Sequence, residues 1–176
     1  MERICISVSH DPMVMHPQFR EAILDVFCRY YVSCEPENCF VAVDAADAPV
    51  GYILCAENFV RYEKRLAEEI LHTIQNPVTK AMAEGSKEAM RSFAPTYPAH
   101  LHIDLLPACR GHGTGRRLVE HLCEHLASKG VPGVMLNVAN DNTGAKHFYE
   151  KCGFVVLKIG EQETVYGKIL TCEEGL

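Results

Sequence analysis

The sequence lacks any uninterrupted apolar run of about 20 residues, the length that a helix needs to cross a bilayer, so no membrane span is expected. Its first ten residues carry Glu2 and Arg3 early and hold no apolar signal core, so no secretory leader is expected. The net charge of −6 lacks the basic excess that nucleic-acid binding uses, which argues against a nucleic-acid partner. These absences favour a globular protein, and we expect it to be cytoplasmic.

Cysteine is plentiful, but its nine positions form an odd number without the regular spacing of a disulfide framework. We therefore expect reduced thiols, including Cys34 and Cys39, which form the only candidate short pair. The length of 176 residues and the hydrophobic content of 48% suit one domain with a sizeable core, and we expect that domain to span residues 1–176.

Apolar periodicity predicts an α/β order along the chain. Alternating or β-rich runs predict strands at 4–8, 39–43, 50–55, 101–106, 134–138, 154–159 and 164–170. Helical spacing predicts helices from Pro17 to about Tyr31, over 116–129 and over 142–152. The polar, helical segment 58–96 is longer than a connection needs, and we interpret it as a helical insertion near the substrate site.

A glycine-rich loop stands between the strand at 101–106 and the helix after it. Its sequence is Arg-Gly-His-Gly-Thr-Gly over 110–115, and Arg116 and Arg117 follow it. Glycines let a backbone approach an anion closely, and a helix N-terminus offers N–H groups and the positive end of a dipole. No acidic residue lies between Cys109 and Val119. The loop therefore predicts a phosphate or pyrophosphate site.

Two familiar phosphate loops do not fit this stretch. A Walker loop requires a lysine that is missing here, and the dinucleotide fingerprint requires Gly-x-Gly-x-x-Gly early in a longer βαβ series. The pattern Arg-x-x-Gly-x-Gly at 110–115, followed by Asn-x-x-Ala-x-x-x-Tyr-Glu-Lys-x-Gly-Phe at 142–154, resembles the GNAT family of acyl-CoA N-acyltransferases. The resemblance is strongest over residues 98–158. The phrase at 97–104 also resembles the acetyltransferase-like domain of O-GlcNAcase and its bacterial stand-alone relatives.

The resemblance implies a single-domain fold with a mixed, mostly antiparallel sheet flanked by helices, which splays between the strands at 101–106 and 134–138. Acetyl-CoA would be the co-substrate, with its pantetheine in the splay, and the resemblance implies no metal. The implied cofactor contacts are the main chain of Leu105 and Leu106, the loop N–H groups, the flanking arginines and Asn142. The loop and its flanks comprise Arg110, Gly111, His112, Gly113, Thr114, Gly115 and Arg116.

Tyr149 lies on the apolar stripe of its helix, where it could be a core tyrosine whose hydroxyl finds a partner. Its match to the family's tyrosine favours a general acid that protonates the departing CoA thiolate. A phenol of pKa about 10 keeps its proton while a thiol of pKa about 8.5 ionises. Asn142 is expected to cap the same helix as well as to lie near the cofactor.

His100, His102 and Asp104 alternate along one strand and share a face. They could serve only to bond neighbouring helices, but their register beside the glycine loop favours the wall of an active site. A primary amine arrives protonated, and Asp104 or His102 is our hypothesis for the base that deprotonates it. A metal held by His100 and His102 is a minor alternative, because no third ligand stands at a set spacing.

Two other motifs carry weaker alternatives. His-x-x-Glu-His over 121–125 matches an inverted zinc-protease motif, but a solvated helix face explains it. Cys109, beside Arg110, could be an activated thiol that forms an acyl-enzyme, although the family transfers acyl groups mostly directly.

The resulting prediction is an acetyl-CoA-dependent N-acetyltransferase that acts on a primary amine of a small molecule or peptide. One alternative is a non-catalytic acetyl-CoA-binding module, and a second is a protein-interaction domain with a vestigial pocket. The sequence does not identify the acceptor. Homodimers are common in the family, but no feature here fixes the oligomeric state.

Overall fold

The computed structural model describes residues 1–9, 12–74, 77, 80–81 and 88–170, without the side chains of residues 12, 13 and 18. The strands are β1 Cys39–Val43, β2 Pro49–Ala56, β3 Ala99–Leu105, β4 Gly133–Ala139, β5 Val155–Ile159 and β6 Glu163–Ile169. The helices are α1 Glu2–Val8, α2 Pro17–Leu24, α3 Tyr30–Cys34, α4 Phe59–Arg65, α5 Glu88–Arg91, α6 Thr114–Ser128 and α7 Thr143–Lys151. Wider π-type turns at Asp25–Arg29 and Leu66–Leu71 extend α2 and α4.

The strands of the described chain form one six-stranded mixed sheet in the order β1-β2-β3-β4-β6-β5. Every neighbouring pair is antiparallel except β3 and β4, which are parallel. The parallel pairing covers only two residue pairs, Ala99 with Val134 and His100 with Met135. Beyond His100 the two strands diverge, which confirms the predicted splayed α/β sheet flanked by helices.

The described residues form three apolar clusters, two of which lie on opposite faces of strand β2. On β2, Ile53 and Cys55 join the cluster under α6 and α7, whereas Tyr52 and Leu54 join the cluster under the N-terminal helices and α4. Successive side chains on a strand point to opposite faces, so the central strands can serve both layers.

The N-terminal segment corrects one prediction, because residues 2–8 form helix α1 and not the strand expected at 4–8. Ile4 and Cys5 are buried against the sheet, and Val8 lies on the same side one turn later. This i, i+1, i+4 pattern is helical, and over so short a run it coexists with the alternation of Ile4, Ile6 and Val8. The helix lays its apolar side over β3.

The described part of the predicted insertion is largely helical, while its place near the substrate site stays a prediction. Asn58 caps α4 by accepting the backbone N–H of Arg61 at 2.9 Å, and the helix runs through the π-type turn to Leu71. Apolar spacing also predicts a second helix over about 78–93, of which residues 78–79 and 82–87 lie outside the described residues. No described helix is long and apolar enough to cross a bilayer. Of the nine cysteines, the eight that lie in the described part of the chain, including Cys34 and Cys39, are free thiols.

Candidate functional site

Each glycine of the loop before α6 has a structural reason, which is backbone conformation for two of them and close packing for the third. Gly111 and Gly113 have φ of +83° and +79°, and residues other than glycine rarely adopt this backbone conformation. Gly115 has an ordinary backbone, but an added Cβ would stand 2.9 Å from a Leu105 methyl and 3.2 Å from the Phe148 ring. The first two glycines therefore shape the loop, and the third lets α6 pack closely on β3 and α7.

The loop leaves the N-terminus of α6 open. Gly113 is the N-cap and has no side chain to satisfy the first turn, and the first helical bond runs from the Arg117 N–H to the Gly113 carbonyl at 3.0 Å. The N–H groups of residues 114–116 therefore point out of the helix end, where a partial positive charge accumulates. Arg116 stands beside them, although it also bonds Glu120 at 2.6 Å. This end of the helix is suited to bind an anion.

A groove of about 580 Å³ extends from the open helix end along the end of β3 to α7. Its walls come from the end of β3, the glycine loop and α7. Among the predicted cofactor residues, it is lined by Leu105, Arg110, Gly111, Gly113, Gly115, Arg116 and Asn142. Asn142 also caps α7, because its Oδ1 accepts the N–H of Ala145 at 3.0 Å. The predicted helix cap is thus confirmed, and it lies on the wall of the groove.

The main-chain N–H and carbonyl groups of Leu105 and Leu106, at the end of β3, point in different directions. The N–H of Leu106 donates to Val50 on β2 at 2.9 Å, and its carbonyl accepts the N–H of Cys109. Because successive residues of a strand alternate in direction, the main-chain groups of Leu105 point away from β2 towards the splay. Arg110 Nε donates to the Leu105 carbonyl at 3.0 Å. The contact predicted for Leu106 therefore lacks a main-chain donor, whereas Leu105 is well placed for one.

Three loop residues lie apart from the groove. Cys109, His112 and Thr114 line a different cavity of about 570 Å³, between the loop and the edge strand β1. The side chains of His112 and Thr114 thus face away from the groove, and the structure gives the acyl-enzyme alternative at Cys109 no support. The motif at 121–125 lies on this side too, where His121 and His125 contact the Phe40 ring edge-on. No cluster of three or more metal-ligating residues occurs in the described part of the chain.

A second cavity that bears on the site, besides the groove, has a volume of about 390 Å³ and lies on the opposite side of β3 from the glycine loop. It is lined by β3, β4, α7 and the N-terminal helices. The lining residues are Cys5, Val8, Ser9, Ile23, Phe27, Leu101, His102, Ile103, Asp104, Asn137 and Tyr149. Val8, Ile103, Asp104 and Tyr149 line the groove as well. The two cavities therefore meet at a carboxylate and a phenol.

Tyr149 is almost completely buried at this junction, with its ring edge-on to Phe148 and Phe154. Burial, and then the negative charge of Asp104, raises the pKa of the Tyr149 phenol well above its ordinary value of 10. The phenol is therefore held in its protonated form.

The polar face of β3 divides in two. His102 and Asp104 line the second cavity, but His100 is buried and its Nε2 lies 2.8 Å from the Tyr31 hydroxyl, among the rings of Phe59 and Tyr62. For His100 the structural interpretation is correct, and the predicted active-site wall is shorter than the sequence suggested.

The structure also adds residues that sequence reasoning missed. Phe27 contacts the His102 ring edge-on at 5.2 Å, and Tyr52 donates a hydrogen bond to Asp104. Cys5 and Val8 enter from α1. No motif marks these positions, since each reaches the site through the pairing of strands or the packing of a helix.

Comparisons with known proteins agree with this geometry. A family model described as "Acetyltransferase (GNAT) family" matches residues 8–154. The crystal structure of SsHAT superposes with a TM-score of 0.83 at 29% identity, over 97% of this chain and 92% of that one. A strand order with one splayed parallel pair, a glycine loop at a helix N-terminus and two cavities that meet beside it define an acyltransferase class of fold. The chain belongs to the GNAT acetyltransferase family.

Two curated relatives share shorter stretches. N-alpha-acetyltransferase 40 of Saccharomyces cerevisiae is 44% identical over 59 residues, which is 30% of this chain and 21% of the relative. Glucosamine 6-phosphate N-acetyltransferase 1 of Oryza sativa subsp. japonica is 46% identical over 48 residues, 27% of each. These matches span only about a quarter of the relatives' length, so they do not identify an acceptor.

Proposed function

We propose that residues 1–176 form one acyltransferase domain that transfers the acetyl group of acetyl-CoA directly to a primary amine. The observation that carries this proposal is the junction of two cavities at Asp104 and Tyr149. Acetyl-CoA would occupy the groove below the glycine loop, and the amine would enter the second cavity. Such an arrangement holds both reactants in line, which supplies much of the acceleration of a bimolecular transfer.

Different residues of the groove would bind different parts of acetyl-CoA. The main-chain N–H groups of the glycine loop would hold the pyrophosphate, with Arg110 and Arg116 beside them. The main chain of Leu105 would pair with pantetheine amides in the manner of an added strand. Its N–H, which faces the splay, would also stabilise the oxyanion that forms when the amine attacks the thioester carbonyl.

The junction residues would move the protons. Asp104 or His102 would take a proton from the incoming ammonium group, so that the nitrogen lone pair becomes a nucleophile. Tyr149 would give its proton to the sulfur as the thioester carbon–sulfur bond breaks. The raised pKa of Tyr149 means that the phenol still holds its proton when the thiolate forms.

The walls of the second cavity favour a compact, cationic amine with an apolar body. Asp104 supplies a carboxylate for the ammonium group, while Val8, Ile23 and Phe27 supply apolar contacts. No lysine or arginine occurs among the described residues that line this cavity. An acceptor that carries a phosphate would therefore bring a second anion towards the Asp104 carboxylate.

The test combines binding and turnover. Thermal stability is measured with and without excess acetyl-CoA, because a ligand of the native state stabilises it by about 2.7 kcal/mol at a hundredfold excess over Kd. A panel of primary amines is then screened by CoA release. Stabilisation together with turnover supports the proposal. Stabilisation without turnover on any amine indicates the binding module, and no stabilisation indicates an interaction domain.

A further inference from the structure

A buried tyrosine on β2 holds the carboxylate at the cavity junction. Tyr52 and Asp104 stand directly opposite each other in the antiparallel register of β2 and β3. The Tyr52 side chain is completely buried, and its hydroxyl donates to Asp104 Oδ2. Directly opposed side chains lie close enough for such contacts across a ladder, and this one is a side-chain bond from a neutral donor to a carboxylate.

The surroundings fix the direction of that hydrogen bond. Burial, and then the charge of Asp104, raises the pKa of Tyr52 far above its ordinary value, so the phenol keeps its proton. The Cys5 thiol of α1 lies in the same buried cluster as Tyr52, and burial raises its pKa. Besides these two groups, Tyr149 of α7 faces Asp104, and His102 stands two residues before it on β3. None of these described neighbours is a lysine or an arginine.

We infer that Tyr52 is a positioning residue for the transfer reaction, which keeps Asp104 ionised and aims its carboxylate at the junction of the two cavities. The inference rests on the proposed function and takes Asp104, of the two candidate bases named there, as the group that receives a proton from the acceptor ammonium group. One carboxylate oxygen accepts the Tyr52 hydrogen bond, which restrains the orientation of the carboxylate. Tyr52 lines neither cavity and acts only through Asp104.

The Tyr52 hydrogen bond offsets the effect of the apolar surroundings on the protonation state of Asp104. Asp104 lies in a partly buried position beside apolar side chains, which favours the protonated acid. A protonated acid could not accept the proton that the ammonium group must lose before its nitrogen attacks. A hydrogen bond donated to the carboxylate favours the charged form, and the raised pKa of Tyr52 keeps the donating proton on the phenol. Tyr52 thus stabilises the protonation state that the transfer step requires.

The direct test titrates Asp104 in the free protein, with no acceptor and no acetyl-CoA. The carboxylate band of Asp104 is isolated by subtracting the infrared spectrum of the Asp104→Asn protein, and is followed against pH. In Tyr52→Phe the pKa of Asp104 should rise by about one pH unit, because the charged form loses a donor. Replacing Tyr52 by 3-fluorotyrosine, a nearly isosteric and stronger donor, should move that pKa down. The opposite directions separate the hydrogen bond from a general loss of packing.

Tyr30→Phe is the matched control, because Tyr30 is equally buried and donates to Glu35 at 3.1 Å, away from the junction. It should leave the Asp104 titration where it is in the wild type. An Asp104 titration that is the same in the wild type, Tyr52→Phe and the fluorotyrosine protein would overturn the inference. So would an equal shift in Tyr30→Phe.

Kinetics supply the second measurement once an acceptor is found. Tyr52→Phe should move the acidic limb of kcat/KM for the amine to higher pH, by the same interval as the infrared titration, and should leave the Kd of acetyl-CoA unchanged. An unmoved acidic limb would refute the role in transfer. A wild-type protein that binds acetyl-CoA and acetylates no amine would overturn the proposed function instead, and the infrared titration would still report whether Tyr52 controls Asp104.

Discussion

The conformation of Gly113 allows the anion-binding role of the loop to be tested apart from stability. Its φ is +79°, and an added Cβ would meet no atom within 4 Å. Gly113→Ala therefore introduces backbone strain without a clash, at a cost of about 1–2 kcal/mol to the free energy of unfolding. In a chain of 176 residues each kcal/mol lowers Tm by about 2–4 °C. Relief of the strain would turn the N–H groups at the start of α6 away from the groove.

Gly130 is a matched control at the opposite end of α6. Its φ is +75°, and an added Cβ there also meets nothing within 4 Å, so Gly130→Ala carries a similar strain far from the groove. Both variants should lose comparable stability in chemical denaturation. Only Gly113→Ala should weaken acetyl-CoA binding, by roughly tenfold to a hundredfold in Kd by titration calorimetry, since a hydrogen bond to a charged group contributes about 1.5–3 kcal/mol.

The comparison can refute the reasoning in either direction. If Gly113→Ala loses stability but binds acetyl-CoA as tightly as the wild type, the loop N–H groups do not hold the pyrophosphate. If Gly130→Ala weakens binding to the same extent, the effect belongs to the stability of the helix and not to the loop.

Three further predictions concern the junction and its two cavities. Tyr149→Phe should lower kcat by about a hundredfold or more without weakening acetyl-CoA binding. The control is Tyr166→Phe, which removes a hydroxyl that donates to Glu150 and should leave turnover near that of the wild type. Equal losses of kcat in the two variants would contradict the role of Tyr149 as the acid. Because the pKa of Tyr149 is raised, the acid form persists above pH 10, so any alkaline limb of kcat below pH 10 should survive in Tyr149→Phe at the same midpoint. In an amine panel, adding a phosphate to an accepted amine should lower kcat/KM at least tenfold, and preference for the phosphorylated amine would contradict the assignment of the second cavity.

The glycine loop and the helices around it could be predicted because local chemistry determines them. A positive φ at Gly111 and Gly113 requires glycine, an open helix end follows from a cap without a side chain, and Asn142 carries its own capping group. Such features depend on a few neighbouring residues, so the sequence displays them directly.

The structure of residues 2–8 and the environment of the β3 face could not be predicted in the same way. The alternation of Ile4, Ile6 and Val8 suits a strand, but one turn of helix buries Ile4 and Cys5 against a sheet that the sequence does not show. Whether a polar strand residue faces a cavity or a ring cluster depends on the helices above it. His100 and His102 are two residues apart and differ in this respect.

The Tyr52–Asp104 hydrogen bond is the clearest example of a contact that could not be predicted from the sequence. The two residues are 52 positions apart, and a shift of one residue in the β2–β3 register would place Tyr52 on the other face. Register follows from the whole set of packed side chains, so neither residue alone predicts the contact.

The brief parallel pairing of β3 and β4 has a mechanical consequence. Only two residue pairs join the half-sheet β1-β2-β3 to the half-sheet β4-β6-β5, whereas β4 and β6 pair over seven residues. The seam is therefore the line of fewest ladder hydrogen bonds, and the halves are held together there mainly by side chains packed under α6 and α7. Opening along such a line is a subglobal event that exposes amides without unfolding the domain. We expect the amides of Ile103 and Leu105 to exchange hydrogen for deuterium faster than those of β4.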